Sequence, residues 1–196
     1  ELTDKDILKE SIQNDSIRFS FTHPKLRQYI YESQTEIKRR FIHNQIGDVI
    51  EKQLHDKPVD MDLYHRLIFH YMRGANKVKA LDYSVKSLNR YLNYSHELFP
   101  ILASGDEALF KDAYMSRKQT QAYLLEIENL LKEVRQKEGQ TRDVIIGEIA
   151  FLHMKGRYLI REGSYEEGTK YISEMISKSI EINDDDYALE AYKQMI

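Results

Sequence analysis

Histidine, carboxylate, arginine and tyrosine are the side chains here with the means to do chemistry. Seven His are spread along the chain, and His65 and His70 stand five apart, on different faces of a helix, so no HExxH zinc spacing forms. His43, His65, His70, His96 and His153 read as surface or packing residues. Cysteine is absent, which removes disulfides, thiolate metal sites and thiol nucleophiles. Glu166-Glu167 and Asp184-Asp185-Asp186 are carboxylate groupings of the kind that acid–base or metal chemistry uses. Both stand where helices are expected to begin, and negative charge there complements the macrodipole. No GxxxxGK[ST] loop occurs, so no P-loop nucleotide site is expected. Lys38-Arg39-Arg40 reads either as a phosphate contact or as a solvated helix face. These residues together predict a chain with no catalytic group, no metal and no cofactor, whose work is to hold a partner.

Tyrosine carries the partner-holding argument. Of the 14 tyrosines, Tyr64, Tyr71, Tyr83, Tyr91 and Tyr94 form one group, and Tyr158, Tyr165, Tyr171, Tyr187 and Tyr192 another. A tyrosine joins buried area to a hydroxyl that needs a partner, so such rows either line a concave binding face or serve as core aromatics. Tyr64, Tyr71, Tyr83, Tyr158 and Tyr165 are the candidates for the face.

The elements that must position these residues are mostly helical. Only 3 Pro and 8 Gly occur in 196 residues, apolar content is 41% and charged content 31%, which suits a soluble helical fold. The net charge of -3 leaves no basic surface for direct nucleic-acid binding. No apolar run approaches a membrane span, no signal peptide is evident, and the lack of cysteine fits a reducing cytoplasm. The chain starts at Glu1 without Met and ends at Ile196 in a helical pattern, so it reads as a segment of a longer protein. Its last helix is then a candidate surface for self-association.

Taken in order, Asp4 to Ser11 reads as the end of a helix. A short hairpin follows over Ile12 to Phe21: Asn14-Asp15-Ser16 supplies turn chemistry, and Ile17, Phe19 and Phe21 alternate with Arg18 and Ser20 as a strand with one buried face. Pro24 suits a first helical position. Ser33-x-x-Glu36 reads as a capping box, and the helix after it is expected to turn Ile37, Phe41, Ile42, Ile46, Val49, Ile50 and Leu54 inward. Lys57-Pro58 breaks the chain, and Asp60 caps a helix bearing Leu63, Leu67, Ile68 and Tyr71. Arg73-Gly74-Ala75-Asn76 connects to a stripe of Val78, Leu81, Val85, Leu88 and Leu92. Residues 93–140 hold a Ser104-x-x-Glu107 box, a break at Arg117-Lys118, and a helical stripe from Leu109 and Ala113 through Leu124, Ile127, Leu131 and Val134, with no placeable repeat register.

The most ordered stretch is Ile149 to Ile182. Ile149, Leu152, Gly156 and Leu159 form one stripe, and Gly168, Ile172, Met175, Ser179 and Ile182 another. Thr141 caps the way in, and Ser164-x-x-Glu167 restarts the chain after Gly163. This stretch of 34 residues resembles a tetratricopeptide unit. Gly156 falls at the eighth position, Gly163 at the fifteenth, Tyr165 at the seventeenth and Gly168 at the twentieth; Leu152 and Glu181 depart from the family pattern. Placing Ala80 at the twentieth position makes residues 61–92 an earlier, degenerate unit.

A second resemblance lies upstream. The residues Phe19, Phe21, His23, Pro24, Leu26, Tyr31, Glu32, Arg39, Arg40, His43, Ile46 and Glu51 are similar to the junction in bacterial STAND-type signalling ATPases, with Gly47 where Ala is more usual. There a nucleotide-binding module is followed by a winged-helix domain and helical repeats. The resemblance implies that residues 1–56 end the winged-helix module and that 57–196 form tetratricopeptide-like repeats. It also implies that His23, Arg39 and Arg40 contact the upstream nucleotide-binding module. The expected fold is all-α: an α-helical hairpin array, or α-solenoid, with a short N-terminal β-hairpin. The expected function is a non-catalytic regulatory segment that binds a protein, peptide or small effector. A stand-alone tetratricopeptide regulator that senses a signalling peptide is the alternative.

Overall fold

The computed structural model describes residues 7–13, 16–54, 61–95 and 115–193. They form one two-stranded antiparallel sheet and eight helices. The strands are β1 (Leu8–Gln13) and β2 (Ser16–Phe21). The helices are α1 (Pro24–Glu32), α2 (Glu36–Glu51), α3 (Met61–Arg73), α4 (Lys77–Ser95), α5 (Arg117–Glu138), α6 (Arg142–Arg161), α7 (Tyr165–Glu181) and α8 (Asp185–Lys193). The chain is thus mainly α-helical, as composition predicts. The Asn14-Asp15 turn, the Asp60 cap, the Ser104-x-x-Glu107 box with Leu109 and Ala113, and Gln194 to Ile196 lie outside the described residues.

The hairpin is real but longer than expected. Leu8 pairs with Phe21 and Ile12 with Ile17, so Leu8 to Ser11 is strand and not the end of a helix. Leu8-Lys-Glu-Ser carries little apolar alternation, and its pairing with β2 overrides the local pattern. The expected buried face of β2 is also corrected. Ile12, Ile17 and Phe19 are each more than half exposed, because no described element covers that side.

Helix α2 brings a larger correction. Ile37, Phe41 and Val49 stand exposed, at 81%, 60% and 56%, and Ile42 and Ile46 are only partly covered. The buried face is His43, Gly47 and the expected Ile50, set at steps of 4 and 3. Gly47 lets Tyr71 of α3 lie against the backbone: a Cβ there would stand 2.7 Å from the Tyr71 ring. A glycine groove filled by a tyrosine has displaced the more apolar stripe from the interface.

Caps place the helices. His23 opens α1 ahead of Pro24 and makes no side-chain cap bond. Thr35, not Ser33, caps α2, accepting from Lys38 N at 3.3 Å; the Ser33 hydroxyl closes α1 on the Ile30 carbonyl. Arg117-Lys118, expected as a break, begins α5 behind a full Ser116–Gln119 capping box. Ser164 precedes α7 but forms no box, and Thr141 makes no side-chain bond. Asp184 accepts from Tyr187 N at 3.2 Å and starts α8 as predicted.

Successive helices pack antiparallel. Tyr71 of α3 meets Lys79 and Tyr83 of α4, while His65 lies beside Tyr91. Lys77 and Tyr123 tie α4 to α5 (2.6 and 3.3 Å). Arg135 and Lys155 tie α5 to α6 through Glu148 and Glu128 (3.0 and 2.8 Å). Helices α6 and α7 touch backbone to backbone: a Cβ on Gly168 would stand 2.8 Å from the Gly156 carbonyl oxygen. The stripes predicted for α3, α4, α5, α6 and α7 are the buried ones, with Leu67, Tyr71, Leu88, Ile149, Ile172 and Met175 fully enclosed. One cluster spans α2 to α6; the other joins α6, α7 and α8 around Ile149, Ile172, Met175 and Ala191.

A second relation runs between alternate helices. Gly147 of α6 faces Leu81 of α4, and the Arg161 guanidinium reaches the Leu92 carbonyl at 3.3 Å, so α4 and α6 lie side by side and parallel. Glu51 of α2 reaches Lys79 and Tyr83 of α4 in the same way, and α8 comes beside α6 where Glu190 Oε1 stands 3.9 Å from His153 Nε2.

Candidate functional site

Where α4, α6 and α8 meet, their side chains leave a cavity of about 190 Å³. Helical periodicity explains the wall supplied by α6. Ile146, Ala150 and His153 line the cavity, recur at steps of 4 and 3 and so share one face, which Arg157 continues one turn beyond the lining residues. That face lies between the α6 residues Phe151 and Tyr158, packed toward α4 and α5, and Ile149 and Leu152, packed toward α7 and α8. Helix α4 contributes Asp82, Val85, Lys86 and Asn89 to the wall, and α8 contributes Tyr187.

The electrostatics of the cavity are mixed. Lys86 Nζ lies 2.7 Å from Asp82 Oδ2, one turn away, and 4.9 Å from the centre of the Tyr83 ring. His153 is only 8% exposed, and its Nε2 has no hydrogen-bond partner. The nearest carboxylate oxygen, Glu190 Oε1 on α8, stands 3.9 Å away, beyond hydrogen-bond reach. Burial, with the Arg157 charge beside it, pushes the imidazole down to about 4, and Glu190 only partly opposes this. His153 is therefore neutral at pH 7. Arg157 Nε is also buried without an acceptor.

The tyrosines expected on a concave face lie mostly elsewhere. Tyr64, Tyr71 and Tyr83 are buried, and Tyr71 and Tyr83 stack with ring centres 6.0 Å apart. Tyr158 is buried in the same core, and Tyr165 is exposed at the start of α7. The face reading is corrected for these four buried rings, which serve as core aromatics. For Tyr71 and Tyr83 the hydroxyls find partners inside. Tyr71 Oη donates to Asp48 or Glu51 (3.1 and 3.0 Å) and Tyr83 Oη donates to Glu51 (2.6 Å). Lys79 Nζ joins both carboxylates at 3.1 and 2.7 Å. Burial opposes the Lys79 charge, but hydrogen bonds to Glu51, Tyr71 and Asp48 outweigh it and raise the ammonium above the usual lysine range. This cluster locks α2 to α3 and α4.

At the junction, His23 is exposed. Arg39 lies over the Tyr31 ring, 5.5 Å from its centre, and Arg40 pairs with Glu36 one turn back. The structure does not gather these three into one site. It gathers His43 instead: its Nε2 meets Tyr31 Oη at 3.0 Å, and its Nδ1 shares a hydrogen bond with His70 Nδ1 at 2.9 Å. Burial lowers both imidazoles, helped by Arg73 at His43 and by His43 itself at His70. Glu166 and Glu167 lie in the first turn of α7, and Asp185 and Asp186 in that of α8. Among the described residues no three His, Cys, Asp or Glu gather as a metal site, and no helix is long and apolar enough to cross a membrane.

Sequence reasoning missed His153 with Arg157 as a pair. The signal was present: two polar residues at i, i+4 between two apolar stripes of one helix. It has meaning only once both flanking helices are placed. No protein-family model, curated protein or solved structure matches this chain.

Proposed function

We propose that this chain is a non-catalytic interaction scaffold, a divergent tetratricopeptide-like helical array, that seats an effector in the groove between α4, α6 and α8. The observation that carries this reading is the groove itself. Parallel neighbours two apart in sequence (α2 beside α4, α4 beside α6, α6 beside α8) are how a stacked array lays one helix of each pair along a common face. The cavity opens on that row and holds a buried imidazole with an unfilled nitrogen.

In the STAND-type setting the segment would be cytoplasmic, and its N-terminal part would rest on an upstream nucleotide-binding module. The exposed apolar residues Phe19, Ile37, Phe41 and Val49 support such a seat better than His23, Arg39 and Arg40 do. The Asp48–Glu51–Tyr71–Lys79–Tyr83 cluster would then join that seat to the groove, since it fastens α2 to α4 and α4 lines the cavity. Effector binding would shift the switch only by its differential affinity for two states. Leu189 and Tyr192, exposed on α8, are the residues a self-association would use.

The test is occupancy of the groove. Immobilised chain is challenged with acetylated random hexapeptides, and retained peptides are read by mass spectrometry. Ile146→Trp fills the cavity and abolishes retention, whereas Tyr165→Ala, far from it on α7, leaves retention unchanged. Equal retention by the Ile146→Trp chain sinks the reading.

A further inference from the structure

We propose that the groove between α4, α6 and α8 is built for the free C-terminal carboxylate of a peptide whose last residue is apolar, received by His153 and Arg157. The inference rests on the scaffold reading above and adds the chemistry of the ligand.

Two unfilled donors carry it. Arginine Nε–H only donates, so the buried Arg157 Nε asks for an acceptor and nothing else. His153 Nε2, four residues earlier on the same face, is likewise buried and unfilled, and in its Nε2–H tautomer it too donates. Buried donors left unpaired are costly, and native structures rarely keep them without a reason. Residues four apart on a helix bring their side chains together, so one group with two acceptor oxygens spans both.

Charge favours an anion over a neutral carbonyl. Asp82 and Lys86 from α4 and Tyr187 from α8 line the site, and Arg157 and Arg161 of α6 and Glu190 of α8 act on His153 from beside it. Asp82 is answered by Lys86 at 2.7 Å, and at His153 the positive charge of Arg157 acts more strongly than the negative charge of Glu190. Beside the donors the wall turns apolar with Val85, Ile146, Ala150 and Met154. A carboxylate with an apolar group on the adjoining carbon matches both halves. The last residue of a peptide has that arrangement; an Asp or Glu side chain within a peptide does not.

The same immobilised 196-residue chain tests this with three acetylated hexapeptide pools whose first five residues exclude Asp and Glu, as does the last residue of the first two. One pool ends in a free carboxylate, one in an amide, and one in Glu-amide. The free-acid pool is retained about tenfold better than the amide pool, the step expected of one charge-assisted hydrogen bond. The retained members end in apolar residues, and Glu-amide behaves as the amide does. His153→Gln and Arg157→Gln each erase the preference while their helical circular dichroism and amide retention stay as in the parent. The His153 ring nitrogen resonances move with the free-acid pool only. Equal retention of acid and amide, lost together in Ile146→Trp, overturns the carboxylate and leaves the scaffold reading standing. Glu-amide retained like the free acid overturns the C-terminal source. No retention from any pool removes both.

Discussion

His153 shows how one buried side chain turns pH into stability. Its folded-state value near 4 lies below the ordinary histidine value of 6.5, so the unfolded chain takes the proton more readily. Stability contributed by the neutral imidazole is complete above pH 6.5 and is lost as pH falls toward 4. Linkage puts the loss between pH 7 and pH 5 at about 2 kcal/mol from this group. Urea unfolding of the parent and of His153→Gln at both pH values checks it: the parent loses about 2 kcal/mol more than the variant. Tyr71 offers a second test. Its ring is fully enclosed and its hydroxyl is shared by Asp48, Glu51 and Lys79, so Tyr71→Phe removes only the hydrogen bonds. We expect a cost of about 1–2 kcal/mol in urea unfolding, with peptide retention unchanged. Both residues were visible in the sequence, Tyr71 as an apolar-face tyrosine and His153 as an ordinary histidine. What the Tyr71 hydroxyl and the His153 nitrogen meet lies 23 and 37 residues away along the chain, at Asp48 and Glu190, and no local pattern encodes that.

Among the elements, the α6–α7 pair was the most legible, because both halves of its interface are periodic and lie within one short stretch. Gly168 decides its spacing. A Cβ there would meet Ile160 Cγ1 at 2.6 Å and the Gly156 carbonyl oxygen at 2.8 Å, and a backbone atom cannot swing aside. Gly168→Ala therefore costs about 1–3 kcal/mol through overpacking, although alanine alone would favour the helix by about 1 kcal/mol. Gly156→Ala is milder, because its closest contact is the movable end of Ile172 at 2.7 Å. Thermal unfolding of both variants ranks them, with Gly168→Ala the less stable. In helix α2 the apolar pattern predicts Ile50 and the following Leu54 correctly and the rest of the face wrongly. Its most apolar stripe, with Ile37, Phe41 and Val49, is exposed, and the contact follows Gly47, where the fit to Tyr71 outweighs hydrophobicity. Aligning Ala80 with Gly168 cast α4 as a second helix like α7, whereas its packing sets it beside α6. Repeat register is a property of stacking, and a degenerate repeat carries too few small residues to declare it.

At the scale of the whole molecule, two surfaces stand out. The hairpin and α2 offer an apolar seat, and the row α4, α6, α8 offers the groove. If the seat serves a separate module, Phe41→Ser changes the stability of this chain by no more than about 0.5 kcal/mol, the range of ordinary surface substitutions, and leaves peptide retention intact. Urea unfolding together with the retention assay checks both. On the proposed reading the effector lies between α4, α6 and α8. Amide hydrogen exchange of the whole chain, with and without a retained free-acid peptide, addresses it most directly. Slowed exchange is expected within residues 82–92, 146–161 and 185–193, with β1, β2, α1 and α2 unchanged. Slowed exchange confined to the hairpin and α2 would contradict it.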